Sequence, residues 1–193
     1  LAADGSKMSK SKGNGVDPSV QEKRYGVEAL RYYLVTGLST FSDAPYKEED
    51  LVSLYNANLA NNYGNLLNRV IHLANSKEVD LNNTEKTEES FRERVDQFSV
   101  KVNSLLDKYS IQLASQTCNE LADLGNQYIT EQAPWDKNKT EEEVEIVLVN
   151  FGYLLRTLIN LYSPILPESS AKAMQLLDNQ EKGILFEKLE IQM

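Results

Sequence analysis

Apolar side chains recur every three or four residues along most of this 193-residue chain, a spacing that places them on one face of an α-helix. The clearest run comprises Leu59, Tyr63, Leu66, Val70 and Leu73. Further runs extend from Phe91 to Tyr109, from Ala114 to Tyr128 and from Val144 to Leu158. Because each apolar face must be buried against another element, the pattern predicts an all-α fold, a helical bundle with short connections.

Prolines and glycines mark the expected ends of the first helices. Asp17 followed by Pro18 is a typical helix start, because proline lacks only a donor that the first turn leaves unpaired. We expect a short helix from there to Tyr25, with Gly26 as its stop, and a second helix from Val27 up to Gly37. The stretch 39–46 contains turn-forming residues and a proline, so it is predicted to be a connection.

The second half of the chain has similar helix-ending signals. The polar stretch 76–86 predicts a link between two helices, and Pro134 and Pro164 each predict the end of a helix just upstream. The stretch 167–177 has the pattern of a last amphipathic helix. Residues 184–191 alternate weakly, which predicts a strand or an extended segment that packs on the body of the protein.

Composition excludes several classes of function. The net charge of −9 and the pI of about 4.8 argue against a protein that grips nucleic acid over its whole surface, so any contact with RNA must be local. The single cysteine, Cys118, excludes an internal disulfide, and with a single histidine, His72, it leaves no ligand set for zinc. We expect Cys118 in a helix core and His72 near a helix end. No pair of side chains suits a nucleophile and its base.

The expected location follows from the same reading. No apolar run approaches the ~20 residues that are needed to span a bilayer. No basic segment followed by an apolar one is visible near the start of the chain. We therefore expect a cytoplasmic protein with no membrane partner.

The stretch from Gly5 to Gly15 holds three lysines and three glycines, with small or flexible residues between them. Lysine carries a compact charge on a flexible stem, so it can follow a phosphate whose position and charge change during a reaction. Glycine and serine leave the backbone free to close on a ligand and reopen. The stretch is therefore typical of a mobile phosphate clamp, while a solvated Lys/Ser linker is the alternative.

Two polar residues on the long central helix form a candidate site for a nucleobase. Asn65 and Arg69 are four positions apart and share a face that differs from the apolar stripe. An amide and a planar guanidinium can both pair with the edge of an unstacked base. Trp135, which follows a proline, is either a stacking platform for a base or a cap over the core. The other asparagines of this helix, Asn58, Asn61, Asn62 and Asn68, are better explained by polar packing between helices.

Several stretches of the chain resemble the class I aminoacyl-tRNA synthetases. Lys7 to Ser11 reads KMSKS, the signature loop of that class, within DGSKMSKSKGNGVDP and ahead of RYGVEALRYYL. The stretch 56–69 reads NANLANNYGNLLNR, and Ala133-Pro134-Trp135 lies well downstream of it. Within the class, these features are most similar to the methionyl-tRNA synthetase family.

The resemblance implies that the loop Lys7, Met8, Ser9, Lys10 and Ser11 contacts the phosphates of ATP. Lys10 and Lys7 are then the catalytic residues, because they stabilise the charge that develops as pyrophosphate departs, and Lys12 is a weaker candidate. The family uses ATP, with Mg, to activate methionine before transferring it to tRNA. The sheet, the upstream His-x-Gly-His signature and the amino-acid pocket of the family are absent from this sequence, so we expect no cofactor to bind this chain alone.

The resemblance also implies that Asn65, Arg69 and Trp135 read the anticodon stem-loop of tRNA(Met). It divides the chain into the loop at 1–17, a helical connector at 18–45 and an anticodon-binding bundle at 46–193. We expect a C-terminal part of an enzyme whose other partner is the missing N-terminal catalytic domain. This part is expected to bind tRNA weakly and to catalyse nothing on its own.

Two alternatives remain open at this point. Another class I synthetase, for instance of the branched-chain or cysteinyl type, shares the lysine loop and a helical anticodon domain. A protein-interaction bundle with a basic, flexible N-terminal segment and no RNA function is the second alternative. Another class I synthetase would prefer the anticodon of a different tRNA, whereas the interaction bundle would show no preference for any tRNA.

Overall fold

The computed structural model describes residues 1–191, except for the side chain of Lys10. Within that range it contains α1 (Pro18–Tyr25), α2 (Val27–Thr36), α3 (Glu48–Tyr55), α4 (Asn65–Lys77), α5 (Glu89–Asp107), α6 (Ile111–Gln132), α7 (Glu141–Tyr162) and α8 (Pro167–Asp178). A π-helical segment, Asn56–Gly64, joins α3 to α4, and 3₁₀ turns occupy Lys10–Lys12 and Thr84–Lys86. The predicted all-α bundle is confirmed, and the described residues form no strand.

The first two helices begin and end where local signals predict. The carboxylate of Asp17 accepts a hydrogen bond from the backbone N–H of Ser19 at 2.9 Å, and Pro18 occupies the first turn of α1. Gly26 has a φ of +86°, a conformation that favours glycine, and it separates α1 from α2. These short-range signals fix both helix ends without help from the rest of the fold.

The central helix contains a wide-turn segment that its apolar periodicity does not reveal. From Glu48 to Lys77 the chain is continuously helical, but Asn56–Gly64 follows the π pattern. A Cβ on Gly64 would lie 3.1 Å from the carbonyl oxygen of Leu59, so a side chain there would press on the widened turn. Such segments are rare and frequently lie close to functional sites.

The chain reverses direction between α5 and α6 at a turn that lacks both glycine and proline. Tyr109 adopts a left-handed conformation with φ of 57°. The N–H groups of Tyr109 and Ser110 donate to the carbonyls of Leu106 and Leu105, which closes the end of α5. One apolar run ends at Tyr109 and the next begins at Ala114, but no glycine or proline between them marks the residue at which the chain reverses.

The core lies between α4, α6 and α7, where the apolar stripes meet. Gly152 lies under the loop after α4, and a Cβ there would lie 2.1 Å from the carbonyl oxygen of Leu81. Cys118 is buried in α6, as expected, and burial raises the pKa of its thiol to about 12. His72 is exposed near the C-terminal end of α4.

Helix α7 corrects one expectation from the sequence. By length and composition it is apolar enough to cross a membrane, although Glu145 and Arg156 interrupt its apolar run. In the structure 61% of its most apolar window is buried within the bundle. Helix α7 is therefore explained as a helix of the buried core.

Helix α2 is attached to the bundle by polar contacts. The carboxylate of Glu28 accepts hydrogen bonds from the backbone N–H groups of Glu168 and Ser169 at 2.7 and 3.0 Å, so it caps α8. The hydroxyl of Tyr32 donates to the side-chain oxygen of Asn119 at 2.8 Å in a buried position. These contacts hold the predicted connector firmly against the helices that follow it.

The segment after α8 is extended and packs on the body, as one of the two sequence readings predicted. Leu185 and Phe186 are buried, and the ring of Phe186 lies 5.5 Å from that of Tyr63. The side chain of Asn56 pairs with both the N–H and the carbonyl of Leu189, at 2.9 and 2.8 Å. The π-helical segment therefore serves as one of the anchors of this tail.

Candidate nucleic-acid interface

A tryptophan and an arginine from different helices meet on the surface of the bundle. The guanidinium carbon of Arg69 lies 4.7 Å from the centroid of the Trp135 ring, within the range of a cation–π contact. Trp135 is 45% exposed, so the indole does not serve as a buried cap over the core. Neither its N–H nor the N–H groups of Arg69 donate to another described residue. The pair therefore offers an aromatic face and several free donors to solvent.

The chain beyond α6 holds the indole in position. Ala133 ends the helix in a left-handed conformation, with φ of 39°, and its N–H donates to the carbonyl of Ile129. Pro134 is buried, and the N–H of Asp136 donates back to the carbonyl of Ala133 at 2.8 Å. Because these contacts lie on both sides of Trp135, the ring is displayed from a tight turn.

Asn65 lies one helical turn before Arg69 on the same exposed face of α4. Its amide N–H₂ donates to the carbonyl of Asn61 at 3.0 Å. Its side-chain oxygen accepts no hydrogen bond from the described residues, so an acceptor is free beside the donors of Arg69. The structure thus brings together all three residues that sequence reasoning selected for base contact.

Three of the other asparagines contact neighbouring segments, as their suggested packing role requires. Asn62 donates to the carboxylate of Asp123 at 2.6 Å and accepts from Asn126 at 2.5 Å, which links the central helix to α6. Asn58 hydrogen-bonds to Tyr32 and Asn68 to the backbone of residue 183. Asn61 is exposed, and its side chain has no hydrogen-bond partner within the described range.

The lysine loop is closed by one asparagine. The side-chain oxygen of Asn14 accepts from the N–H of Ser9 at 2.8 Å, and its N–H₂ donates to the hydroxyl of Ser6 at 3.0 Å. The hydroxyls of Ser9 and Ser11 are 2.8 Å apart. Lys7 is exposed, whereas the side chain of Lys10 lies outside the described part of the structure.

The loop and the indole lie in different parts of the molecule. Met8 packs against a small apolar cluster that includes Tyr46 and Leu51, separate from the main core. Arg69 lies 18 residues beyond Leu51 along one continuous helix, which at the usual rise is a separation of roughly 25 Å. The predicted phosphate loop and the predicted base site are therefore two distinct sites.

A family model described as the anticodon binding domain of methionyl tRNA ligase matches residues 80–190. The match covers more than half of the chain. The chain belongs to the methionine–tRNA ligase family. A second model, described as tRNA synthetases class I (M), matches residues 1–71. The family assignment decides against the other class I synthetases that the sequence left open.

Individual methionine–tRNA ligases match almost the whole chain. The chain is 36% identical to the ligase of Ureaplasma parvum and 34% identical to that of Lactococcus lactis, over 95% and 98% of its length. It spans only 36% and 30% of those relatives. The fold is similar to that of Mycobacterium tuberculosis methionyl-tRNA synthetase in complex with methionyl-adenylate, with a TM-score of 0.74 and 26% identity, covering 91% of this chain and 37% of that one.

The two family models divide the candidate sites between them. Lys7, Asn65 and Arg69 fall within the match to the class I ligases, and Trp135 falls within the match to the anticodon binding domain. Sequence reasoning missed that residues 182–184 lie beside α4, where the N–H of Gly183 donates to Asn68 at 3.5 Å. No local signal could have revealed this neighbour, because it is distant in the sequence.

Proposed function

We propose that this chain is the part of a methionine–tRNA ligase that recognises the anticodon stem-loop of tRNA(Met). The observation that carries the proposal is the contact between Arg69 and the half-exposed ring of Trp135, with Asn65 one turn away on the same face. Stacking on an aromatic ring and hydrogen bonding along a base edge are the usual means of reading unpaired RNA. A surface that combines both suits an anticodon loop, whose bases can be splayed out.

Each of the three residues has a distinct part in this proposal. Trp135 stacks on an unpaired base through its open face, while Arg69 covers the other face and orients the ring. The guanidinium retains free N–H donors for the acceptors of a base or a phosphate. Asn65 supplies the neighbouring acceptor. The net charge of −9 is compatible with this arrangement because the recognition is local and directional.

We further propose that the loop Lys7 to Ser11 contacts the phosphates of ATP in the complete ligase. Lys7 is exposed and its ammonium is free of ion pairs with described residues, so it fits a phosphate group. ATP supplies the activated phosphorus that methionine attacks. Lys7 and Lys10 would neutralise charge on the departing pyrophosphate. The described residues include no group of three His, Cys, Asp or Glu side chains that could hold a metal ion.

The activity of the complete enzyme rests on parts of the family that this chain does not span. We propose that the whole protein activates methionine, attaches it to tRNA(Met) and works in the cytoplasm. The 193-residue chain alone should form no methionyl-adenylate. The division into a loop at 1–17, a connector at 18–45 and a bundle at 46–193 stays a prediction, and residues 192 and 193 lie outside the described range.

The decisive experiment compares two RNA stem-loops, one with the anticodon CAU and one with a single base of that triplet changed. Affinity for each is measured at two salt concentrations. The proposal expects tighter binding of CAU at both, because base contacts persist when ionic contacts are screened. Equal binding of the two loops contradicts it, and so does no binding to either, which favours the interaction bundle without RNA function.

A further inference from the structure

A groove lies beside α4 at the level of Arg69. It is lined by Asn68, His72, Lys182, Gly183 and Ile184. Of the described residues, those that line this groove include one lysine, one histidine and no carboxylate. In a chain with a net charge of −9, a groove whose one formally charged side chain is an ammonium is a place where an anion can approach.

The groove and the candidate base site share one exposed face of α4. At 100° per residue, Asn65, Arg69 and His72 lie within about 60° of one another around the axis of α4. All three are exposed. The same helix face therefore carries both Arg69, which contacts the indole of Trp135, and His72, which lines the groove with Lys182.

The wall that carries Lys182 is fixed to α4 on both sides of this lysine. Asn75 and Gln180 exchange two hydrogen bonds, at 2.8 and 3.2 Å. On the other side, the N–H of Gly183 donates to Asn68 at 3.5 Å. The backbone at Lys182 is thus held beside α4, while its exposed ammonium forms no ion pair with a described residue.

We propose that Lys182 and His72 bind the phosphate backbone of the RNA whose bases contact Trp135, Arg69 and Asn65. The inference rests on the proposed function and assigns to this groove contacts with the RNA backbone, separate from the base contacts of Trp135, Arg69 and Asn65. The lysine contributes a charge to one phosphate, and the imidazole N–H contributes a hydrogen bond to a phosphate or ribose oxygen. These contacts strengthen binding without sensing the base sequence.

The test measures the salt dependence of affinity for the CAU stem-loop and for the stem-loop with one changed base. Each phosphate contact on a single strand contributes about 0.7 to the slope of log affinity against log salt. Lys182→Gln should reduce the magnitude of that slope by about 0.7, because one phosphate contact is lost. The ratio of the affinity of the unaltered chain to that of the variant should therefore be about fivefold larger at 0.1 M salt than at 1 M. The ratio between the two stem-loops should stay unchanged, because a phosphate contact carries no base information.

Controls separate a phosphate contact from a general effect of charge. Lys182→Arg should retain the slope, and His72→Ala should weaken both stem-loops by the same factor. Lys108→Gln removes an exposed lysine at the opposite end of α6 and should leave the slope unchanged. Circular dichroism confirms that each variant keeps its helices.

The outcomes distinguish this inference from the proposed function. If the unaltered chain prefers CAU but Lys182→Gln keeps the original slope, the groove does not bind phosphate and the inference is wrong. A Lys182→Gln chain with an altered ratio between the stem-loops also contradicts it. If the unaltered chain binds both stem-loops equally, the proposed function fails, and a lowered slope in Lys182→Gln still supports the phosphate contact. Absence of any RNA binding overturns both.

Discussion

Arg69 on α4 covers one face of Trp135, which follows the last turn of α6, with 4.7 Å between the guanidinium carbon and the ring centroid. The contact depends on how α4 and α6 pack, since Arg69 lies on α4 and Trp135 is displayed just beyond the end of α6. The hydrogen bonds of Asn62 to Asp123 and Asn126 join the same two helices nearer their middle. The base site is therefore positioned by the packing of the bundle.

Replacing the indole tests the stacking role. We expect Trp135→Ala to weaken binding of the CAU stem-loop by about 1 to 3 kcal/mol, the range for a base stacked on an aromatic side chain. The sequence contains a single tryptophan, so its fluorescence reports directly on this ring and should be quenched when RNA binds. An unchanged affinity in a fully helical variant, or unquenched fluorescence in a saturated complex, is incompatible with stacking.

Changing the amide tests which residue discriminates between bases. Asn65→Ala removes the free acceptor beside Arg69, and we expect the preference for CAU over a changed triplet to fall by about 1 kcal/mol, the net contribution of one hydrogen bond. The matched control is Asn61→Ala, one turn earlier, whose exposed side chain has no described partner. Binding assays with both stem-loops give the ratio. A similar loss of preference in the two variants rules out a specific part for Asn65.

Glycine is required at position 152 by the close approach of a backbone carbonyl. A Cβ there would lie 2.1 Å from the oxygen of Leu81, and a carbonyl in the main chain cannot move aside as a side chain can. We expect Gly152→Ala to lower the free energy of unfolding by about 3 kcal/mol, at the upper end of the usual range for overpacking. Urea denaturation measures the change. Gly15→Ala, at a site with no atom within 4 Å of the added Cβ, should change it little.

The buried thiol of Cys118 should make the fold sensitive to alkaline pH. Burial raises its pKa from 9.0 to about 12, so the folded chain retains a proton that the unfolded chain releases. This contribution is complete below pH 9 and is lost as the pH rises from 9 towards 12. We expect the free energy of unfolding to fall by about 1 kcal/mol per pH unit in that window.

Cys118→Ser isolates this effect because a serine hydroxyl does not titrate there and can still donate to the carbonyl of Ala114, as the thiol does. Between pH 9 and 10 the serine variant should lose stability more slowly than the unaltered chain. The comparison stops at pH 10 because buried tyrosines, among them Tyr32 with a pKa raised to about 12, add their own effect above it. Parallel curves would show that the thiol pKa is not raised.

Several features of the fold were predictable because they depend on short-range chemistry. Pro18 and Gly26 mark the ends of α1, and Pro134 limits α6, since each changes the backbone conformations that its immediate neighbours can adopt. Apolar spacing correctly identified the buried faces of α4 and α7. The selection of Asn65, Arg69 and Trp135 came from a resemblance to a known family, which residue type alone would not have supported.

The sequence by itself determined the helical class, most helix ends and the candidate residues, because a helix and its ends obey rules that span only a few positions. Tertiary structure decided the π-helical turn at Asn56–Gly64, the reversal at Tyr109 and the neighbours of α4. These features depend on which apolar faces meet and on the separation that their side chains require. The contact of Arg69 with Trp135, and the place of Lys182 beside the same helix, exist only once that packing has formed.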